Sequence, residues 1–477
     1  MRSLLTLLLS AVIASCGLAQ TWNALETDNL PGDRRIHPKT SLTLSTDGET
    51  LRNQLFSAPH EKSVTAETSP ATISLPLPNG STARYRIVAY DIAEAPALAK
   101  YPNIRTWYGL NVDNPAQSIF LDWTERGFHA SIRGGGTESF FIDPLFRRNT
   151  DQYQVYRKSD FDPDQLEPFT CYTESSNLTE EDQTVTSNKV LGDCELMQYR
   201  TTITATGEYS NYHGATSAAQ SALVQSAIVT TINRVNQVFT RDISLRLQLV
   251  ANNDALYKYT PGEAPFEDNN VSSLLVENTP YTNSIIGSAN YDYGHIVTQA
   301  NGGGVAYLRA SCGGSKAAGA TSRNTPEGDP FDIDYVAHEM GHNFGGNHTQ
   351  NNDCNYSSSA GMEPGSASSI MGYAGICSPN VQTNSDAYFH GRSIEEMTTH
   401  FELESGGCGT IINTSLTNPD VTGQTDETIP AGTPFVLQSG ATGDGTLSYN
   451  WEQYDSERGA VMPPRRNQYP GPTFPQL

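Results

Sequence analysis

The chain has 477 residues, of which 37% are apolar and 17% charged, enough for a large core and for about three domains. Its 29 basic and 52 acidic residues give a formal net charge of −23, which argues against binding nucleic acid through the phosphate backbone. The 40 glycines and 27 prolines form no long tract, so collagen-like and wholly disordered chains are excluded as well.

The first residues are typical of an export signal. Residues 4–14 are apolar and follow Arg2, but they are too few to span a bilayer comfortably. We favour cleavage after Ala19, which makes 1–19 a signal peptide; the alternative is a lipobox that leaves Cys16 lipidated. No later segment is predicted to span a membrane. We therefore expect a secreted, extracellular or cell-surface protein, and a monomer.

Residues 20–193 are predicted to be a β-rich module and a linker. Apolar or alternating runs predict strands at 72–77, 85–90 and 118–123. The acidic stretch 159–193 is expected to be an exposed linker. We find no metal-ligand spacing or nucleophile pattern up to residue 193, so this module is expected to have no chemistry of its own.

Residues 194–408 predict an α/β domain, because long helices alternate with strands. Strands are expected at 199–205, 243–250, 294–298 and 304–308, and helices at 217–240, 332–344 and 393–406. Ser393 and Glu396 form a capping-box pattern at the start of the last helix.

Residues 409–477 are predicted to form a partial β-sandwich module of immunoglobulin-like or PKD-like type. Strands are expected at 433–437 and 447–451, on either side of a glycine-rich turn. The segment is short for a sandwich, and 463–477 is rich in proline without a strand pattern.

One pattern carries chemistry: His338-Glu339-x-x-His342-x-x-Gly345-x-x-His348. Two histidines four residues apart project from one helix face and reach one zinc ion. Glycine after the helix permits the turn that brings His348 in as a third ligand. Three protein ligands leave a coordination position open, which is the catalytic arrangement, and Glu339 is placed to act as general base.

This pattern resembles that of the metzincin zinc endopeptidases, and within them the reprolysin or adamalysin-like branch, over about 199–408. The surrounding segments are similar to those of bacterial secreted relatives. Met371, in Ser-Ile-Met-Gly-Tyr, matches the second metzincin hallmark, a methionine turn beneath the zinc. The resemblance implies a mixed, twisted sheet with long helices, a β-rich prodomain, zinc, and protein or peptide substrates.

The resemblance also suggests roles for residues near the motif. Tyr373 is placed as in astacin-like relatives, where it helps to stabilise the oxyanion; the alternative is an ordinary packed tyrosine. The strand at 303–307 either pairs with an extended peptide or is an ordinary strand. Thr349 follows the third histidine where animal reprolysins usually have aspartate, so subfamily and specificity are open.

Seven cysteines include Cys16; for the other six the resemblance implies the disulfides Cys312–Cys408 and Cys354–Cys377. Cys171 either pairs with Cys194 or serves as a cysteine switch that occupies the open zinc position and keeps a zymogen silent.

Other polar residues have simpler interpretations. Asp329, Asp332 and Asp334 suit N-capping and the dipole of the zinc helix, with a calcium site as the weaker alternative. His213 and His295 are expected to be structural.

The sequence thus predicts a secreted zinc endopeptidase made as a zymogen. The alternatives are a secreted adhesion or binding protein with a non-catalytic zinc site, and a zinc hydrolase that acts on other bonds. Only a catalytic site needs a base at Glu339, which separates the enzyme from the binding protein.

Overall fold

The computed structural model describes residues 21–26, 32–161, 170–173, 194–404 and 407–458, the last range without 415, 418, 423–427, 431, 437, 448, 455 and 457. The predicted signal peptide, the Cys16 lipobox and most of the predicted linker lie outside the described residues. Within the described part, no helix combines the length and the apolarity needed to cross a membrane.

The N-terminal part folds around one antiparallel sheet, as its alternating sequence predicts. The described strands of this sheet are β1 Asn23–Ala24, β2 Leu42–Ser45, β3 Thr72–Pro76, β4 Thr82–Tyr90, β5 Arg105–Asn111, β6 Gln117–Thr124, β7 Gly127–Gly134, β8 Phe140–Pro144 and β9 Gln152–Arg157, in the order β1-β2-β9-β8-β7-β6-β5-β4-β3. Large apolar side chains such as Tyr85, Trp107 and Phe128 fill its core. Two helices, α1 Gly48–Phe56 and α2 Ala95–Lys100, were not predicted.

Residues 195–403 form a mixed sheet with long helices, which confirms the predicted α/β architecture in outline. Its strands are β10 Glu195–Ala205, β11 Leu245–Leu249, β12 Tyr293–Thr298, β13 Gly303–Ala306 and β14 Gly319–Ser322, in the order β11-β10-β12-β14-β13. Its helices are α3 Gly207–Tyr212, α4 Ser221–Ile243, α5 Val271–Ile285, a π-helical segment Pro330–Ala337 that continues into α6 His338–Asn343, and α7 Gly391–Leu403. Strand β13 is antiparallel to β14 and forms an edge.

Helix α4 lies between the two sheets, and both of its faces are buried. The apolar face predicted from Val224, Ile228 and Phe239 belongs to the core of the mixed sheet. The opposite, polar face contacts the N-terminal sheet, where Thr230 donates a hydrogen bond to Asp122 at 3.0 Å. An amphipathic pattern predicts a solvated polar face, so this burial could not be inferred from the helix alone.

Charged side chains are also buried where the N-terminal sheet faces the π-helical segment. Arg133 of β7 donates to Asp329, and the two side chains are 1% and 0% exposed. Lys158 lies 3.4 Å from the Asp329 carboxylate and 3.5 Å from that of Asp334. Asp329 precedes the π-helical segment but makes no side-chain cap bond. The predicted N-capping role of Asp329 is therefore wrong, because its carboxylate pairs with cations of the N-terminal part.

Asp332 is likewise held by a buried cation. Arg234 of α4 lies 3.0 Å from Asp332 of the π-helical segment and 2.6 Å from Asp143 of β8, and so links that segment to the N-terminal sheet. Because arginine and lysine side chains neutralise these carboxylates, the arrangement gives no support to a calcium site.

The C-terminal part differs from the predicted sandwich. Its described strands are β15 Thr410–Asn413, which pairs with β10, and the pair β16 Asp420–Thr422 and β17 Gly440–Thr442. The described residues within 433–437 and 447–451 form no strand. Phe435 and Val436 are 47% and 82% exposed, so no opposing layer covers these apolar side chains as a sandwich requires.

Candidate active site

The zinc-motif helix presents two imidazoles to one point. His338 and His342 lie one turn apart on α6, and their Nε2 atoms are 3.1 Å from each other. Each Nδ1 atom contacts a backbone carbonyl at 2.7 Å, that of Ile370 for His338 and that of Gly346 for His342. These carbonyls fix the tautomer and orientation of the rings, so that Nε2 is the atom offered to a ligand.

A glycine turn brings in the third histidine, as the spacing predicts. Gly345 has φ of +113°, which suits glycine, and Gly346 N–H donates to the carbonyl of Gly341 in the manner of a helix C-cap. The chain then reverses, and His348 Nε2 lies 3.1 Å from His342 Nε2. His348 also hydrogen-bonds to the backbone of Asn355.

The donor set fits a zinc ion. The three Nε2 atoms and Cys171 Sγ all lie within 4.8 Å of one another, and all four residues are buried. Zinc–nitrogen bonds of about 2.0–2.1 Å in a tetrahedron place two nitrogens about 3.3 Å apart, close to the separations seen here. Burial lowers the pKa of His338 to about 4 and the pKa values of His342 and His348 well below their usual value, which keeps the imidazoles in the neutral form that binds metal.

Met371 lies under the histidines, where the methionine turn was predicted. It is fully buried, and a Cβ at Gly341 of α6 would overlap its sulfur. A buried carboxylate, Glu363, connects this turn to residues 344–349, here called the histidine loop. Thr349 Oγ1 donates to it at 2.5 Å, and the backbone N–H of Ser369 donates to it at 3.1 Å.

The edge strand β13 borders the histidine cluster. A Cβ at Gly304 would overlap the Glu339 carboxylate, so glycine is needed for the strand to approach the helix this closely. Glu339 is fully buried, and burial raises the pKa of its carboxyl to about 8, while contacts with Cys171 and Thr173 lower it. The carboxyl group thus faces the space between β13 and the histidines.

Residues 170–173, here called the cleft segment, fill that space. The segment runs parallel to β13: Gly304 N–H donates to the carbonyl of Thr170 at 3.0 Å, and Tyr172 N–H donates to the carbonyl of Gly304 at 2.9 Å. Cys171 and Thr173 are only 7% and 3% exposed, whereas Tyr172 is 55% exposed, so alternate residues of this part of the predicted exposed linker are buried. The edge strand therefore does pair with an extended chain.

Cys171 is the fourth member of the cluster. Its thiol is free, which excludes a disulfide with Cys194, and its Sγ lies 3.5 Å from His342 Nε2. Beside it, Thr173 Oγ1 lies 3.3 Å from the Glu339 carboxylate and accepts a hydrogen bond from Ala306 N–H at 2.8 Å. The cleft segment thus contacts both the histidine cluster and the acid next to it.

Residues 197–399 match the model of the reprolysin-like metallopeptidase family M12B. Residues 197–399 are a reprolysin-like metallopeptidase domain. A comparison with curated proteins gave no match. Membership of this family implies zinc-dependent hydrolysis of protein substrates, and the buried histidine cluster lies within the matched residues.

Other predictions for the reprolysin-like domain are met in part. The disulfides Cys312–Cys408 and Cys354–Cys377 are both present. His213 and His295 lie outside the metal cluster, and His295 is buried 2.8 Å from the hydroxyl of Thr321. Helix α7 begins at Gly391 with His390 as its N-cap, so the capping box expected at Ser393 is wrong.

Three residues of the site were missed by sequence reasoning. Glu396, expected to cap α7, instead accepts hydrogen bonds from the backbone and side chain of Asn347 in the histidine loop. Thr173 lies beside Glu339, and Asn355 contacts the cleft segment, only because the tertiary fold brings these residues together. A signal existed for Asn355 alone, because it follows Cys354 and so lies next to a disulfide implied by the family resemblance.

Proposed function

We propose that this protein is a secreted zinc endopeptidase that is made as a latent precursor. In this proposal 1–19 is the signal peptide, 20–193 the prodomain and linker, 194–408 the catalytic domain and 409–477 a further module. The observation that carries the proposal is the convergence of three buried imidazoles and one acid beside an edge strand that already binds an extended chain.

His338, His342 and His348 would hold the zinc ion, which when bound supplies a Lewis acid for amide hydrolysis. Glu339 is the general base. Its carboxylate takes a proton from water as the water oxygen adds to the scissile carbonyl carbon, and it returns that proton to the amide nitrogen as the C–N bond breaks. No covalent bond between enzyme and substrate forms in this sequence of steps.

Latency is proposed to come from the cleft segment. The Cys171 thiolate is placed to be the fourth ligand, and the backbone of Thr170 and Tyr172 takes the strand position that a substrate needs. Both features support a cysteine switch over a disulfide between Cys171 and Cys194. Replacing Cys171 by alanine should raise the activity of the uncut chain, whereas Cys194→Ala should not.

The test of the proposed function is casein cleavage by the zinc-loaded chain after cutting within 174–193 and removal of the N-terminal fragment. Glu339→Gln keeps the shape of the side chain but removes the base, and we expect a loss of at least about 100-fold in kcat. Zinc content, measured by mass spectrometry, should stay near that of the wild type. Asp353→Asn, which neutralises an exposed acid outside the cluster, is the control.

Two results would contradict the proposal. A folded, zinc-loaded wild type that cleaves no peptide bond would favour the adhesion or binding protein. Full activity in Glu339→Gln would exclude the assigned base.

A further inference from the structure

The cleft segment shows how this protein holds an extended backbone on both of its edges. In an extended chain successive residues point their N–H and C=O groups to opposite sides. The groups of Thr170 and Tyr172 face β13, as described above. The carbonyls of Cys171 and Thr173 face the other way, toward side chains of the loop after the third histidine.

Two side-chain donors meet those outward carbonyls. Asn355 Nδ2 donates to the carbonyl of Thr173 at 2.7 Å, and the Tyr373 hydroxyl donates to that of Cys171 at 3.4 Å. Asn355 Nδ2 also lies 2.9 Å from the Tyr373 hydroxyl. The two donors are therefore neighbours, spaced to match alternate carbonyls of one strand.

The loop fixes Asn355 relative to the histidine cluster. Its φ is +50°, in the left-handed region where asparagine is favoured among non-glycine residues. Cys354, directly before it, is tied to Cys377, and the backbone of Asn355 hydrogen-bonds to His348. One residue thus contacts the third imidazole through its backbone and the chain in the cleft through its amide.

We propose that Asn355 is a substrate-binding residue that, with Tyr373, holds the backbone of an extended peptide on the side of the cleft opposite β13. This inference rests on the proposed endopeptidase function. Because both donors contact carbonyl groups, which every peptide has, they select extended or unfolded segments rather than particular side chains. A strand of either direction presents carbonyls along its outer edge with the same two-residue repeat.

The test compares Asn355→Gly, which removes the amide and tolerates the positive φ, with wild type after cutting within 174–193 and removal of the N-terminal fragment. Loss of one hydrogen bond to bound substrate predicts a three- to tenfold lower kcat/KM (about 0.6–1.4 kcal/mol), chiefly through KM. Asn352→Gly is the matched control, since Asn352 lies in the same loop and its Oδ1 accepts a hydrogen bond from Cys354 N–H. Asn355→Asp, which keeps the shape but loses the donor, serves if the glycine variant folds poorly.

A second readout does not depend on activity. A synthetic peptide of residues 168–175 carrying Cys171→Ser should bind the cut chain three- to tenfold more weakly after Asn355→Gly. In the uncut chain, Cys171 should react faster with a thiol reagent in the same variant.

The outcomes separate the inference from the proposed function. If wild type cleaves casein and Asn355→Gly leaves KM, kcat and peptide binding unchanged, Asn355 holds only the cleft segment of the precursor and the inference is overturned. If wild type fails to cleave, the proposed function falls; weaker peptide binding by Asn355→Gly alone would then still support the backbone-binding role. Equal losses in Asn352→Gly would assign the effect to the loop and overturn the inference.

Discussion

The Glu396 carboxylate of α7 accepts a hydrogen bond from the backbone N–H of Asn347 at 2.9 Å and another from the Asn347 side chain at 3.1 Å. Asn347 directly precedes His348, so a buried acid 49 residues further along the chain orients the third histidine. Arg392 lies 3.5 Å from the same carboxylate and balances its charge. The histidine loop is thereby fixed from outside the motif.

Glu396→Ala should therefore weaken zinc binding without removing a ligand. Partners that orient ligands typically contribute about 10- to 100-fold to metal affinity, and we expect a loss in that range. The measurement is competition with a chromophoric chelator on the full chain. Glu395→Ala, which changes a more exposed neighbour, should leave the affinity unchanged. Equal affinities for Glu396→Ala and wild type would show that the loop holds its shape unaided.

The contrast between Glu396 and His342 shows what the sequence could reveal. The histidines and Glu339 were predictable because their spacing along one helix and one turn encodes their geometry locally. The role of Glu396 depends on the packing of α7 against that turn, which no local pattern records; the Ser393–Glu396 spacing even suggested a cap instead.

The elements of the fold likewise differ in whether a local sequence pattern predicts them. Helix α4 was predicted because its apolar residues repeat at helical spacing. Helix α5 was not, since Pro280 inside it argues against a helix and its sequence has little apolar periodicity. The C-terminal strands were misplaced because short apolar runs, such as that at Phe435, do not show whether a second layer covers them.

Thr173 should contribute to latency independently of Cys171. Its hydroxyl accepts from Ala306 N–H and lies next to the Glu339 carboxylate, so Thr173→Val removes these contacts while keeping the shape of the side chain. We expect residual casein cleavage by the uncut, zinc-loaded chain to rise up to about tenfold, the value of one or two hydrogen bonds.

The control for that experiment is Thr137→Val, the same change at a threonine whose hydroxyl bonds to Gln117 and Gly134 of the N-terminal part. A rise in both variants would indicate general loosening of the precursor. No rise in Thr173→Val would assign latency to Cys171 and the backbone pairing alone.

The buried pair of Arg133 and Asp329 should hold the N-terminal part on the reprolysin-like domain. Removing one partner of a buried pair costs about 3–5 kcal/mol when the other charge is left uncompensated. Lys158, 3.4 Å from Asp329, still balances part of that charge in Arg133→Ala, so the loss here is smaller. After cutting within 174–193, Arg133→Ala should therefore release the N-terminal fragment about 10-fold more readily than wild type, measured by size-exclusion chromatography across a dilution series.

Two further variants separate charge from packing in this contact. Lys62→Ala, at an exposed pair, should have no effect. The double change Arg133→Met and Asp329→Leu should recover much of the retention, because it removes both charges of the pair while Lys158 keeps Asp334 at 3.5 Å. If the N-terminal fragment of Arg133→Ala is retained as well as that of wild type, the polar face of α4 and the backbone contacts are enough to hold the fragment on the reprolysin-like domain.

His213 should make the full chain less stable in mild acid. The ring is buried between Tyr209 and Tyr212, and burial together with Arg126 and other nearby arginines lowers its pKa well below the usual value of 6.5. Below about pH 6.5 the unfolded chain binds a proton that the folded chain does not, so the free energy of unfolding falls as pH falls. For one such group the loss between pH 7.5 and 5.5 is about 1 kcal/mol.

Urea unfolding of the full chain at these two pH values measures this loss. His213→Gln cannot bind the proton, so its unfolding free energy should depend on pH less steeply, by about 1 kcal/mol, whatever its stability at pH 7.5. His37→Gln, at an exposed position, should keep the wild-type dependence. Because the histidines of the metal cluster are common to all three proteins, a difference confined to His213→Gln belongs to that ring. Parallel pH dependence in His213→Gln and wild type would mean that the folded protein protonates His213 without cost.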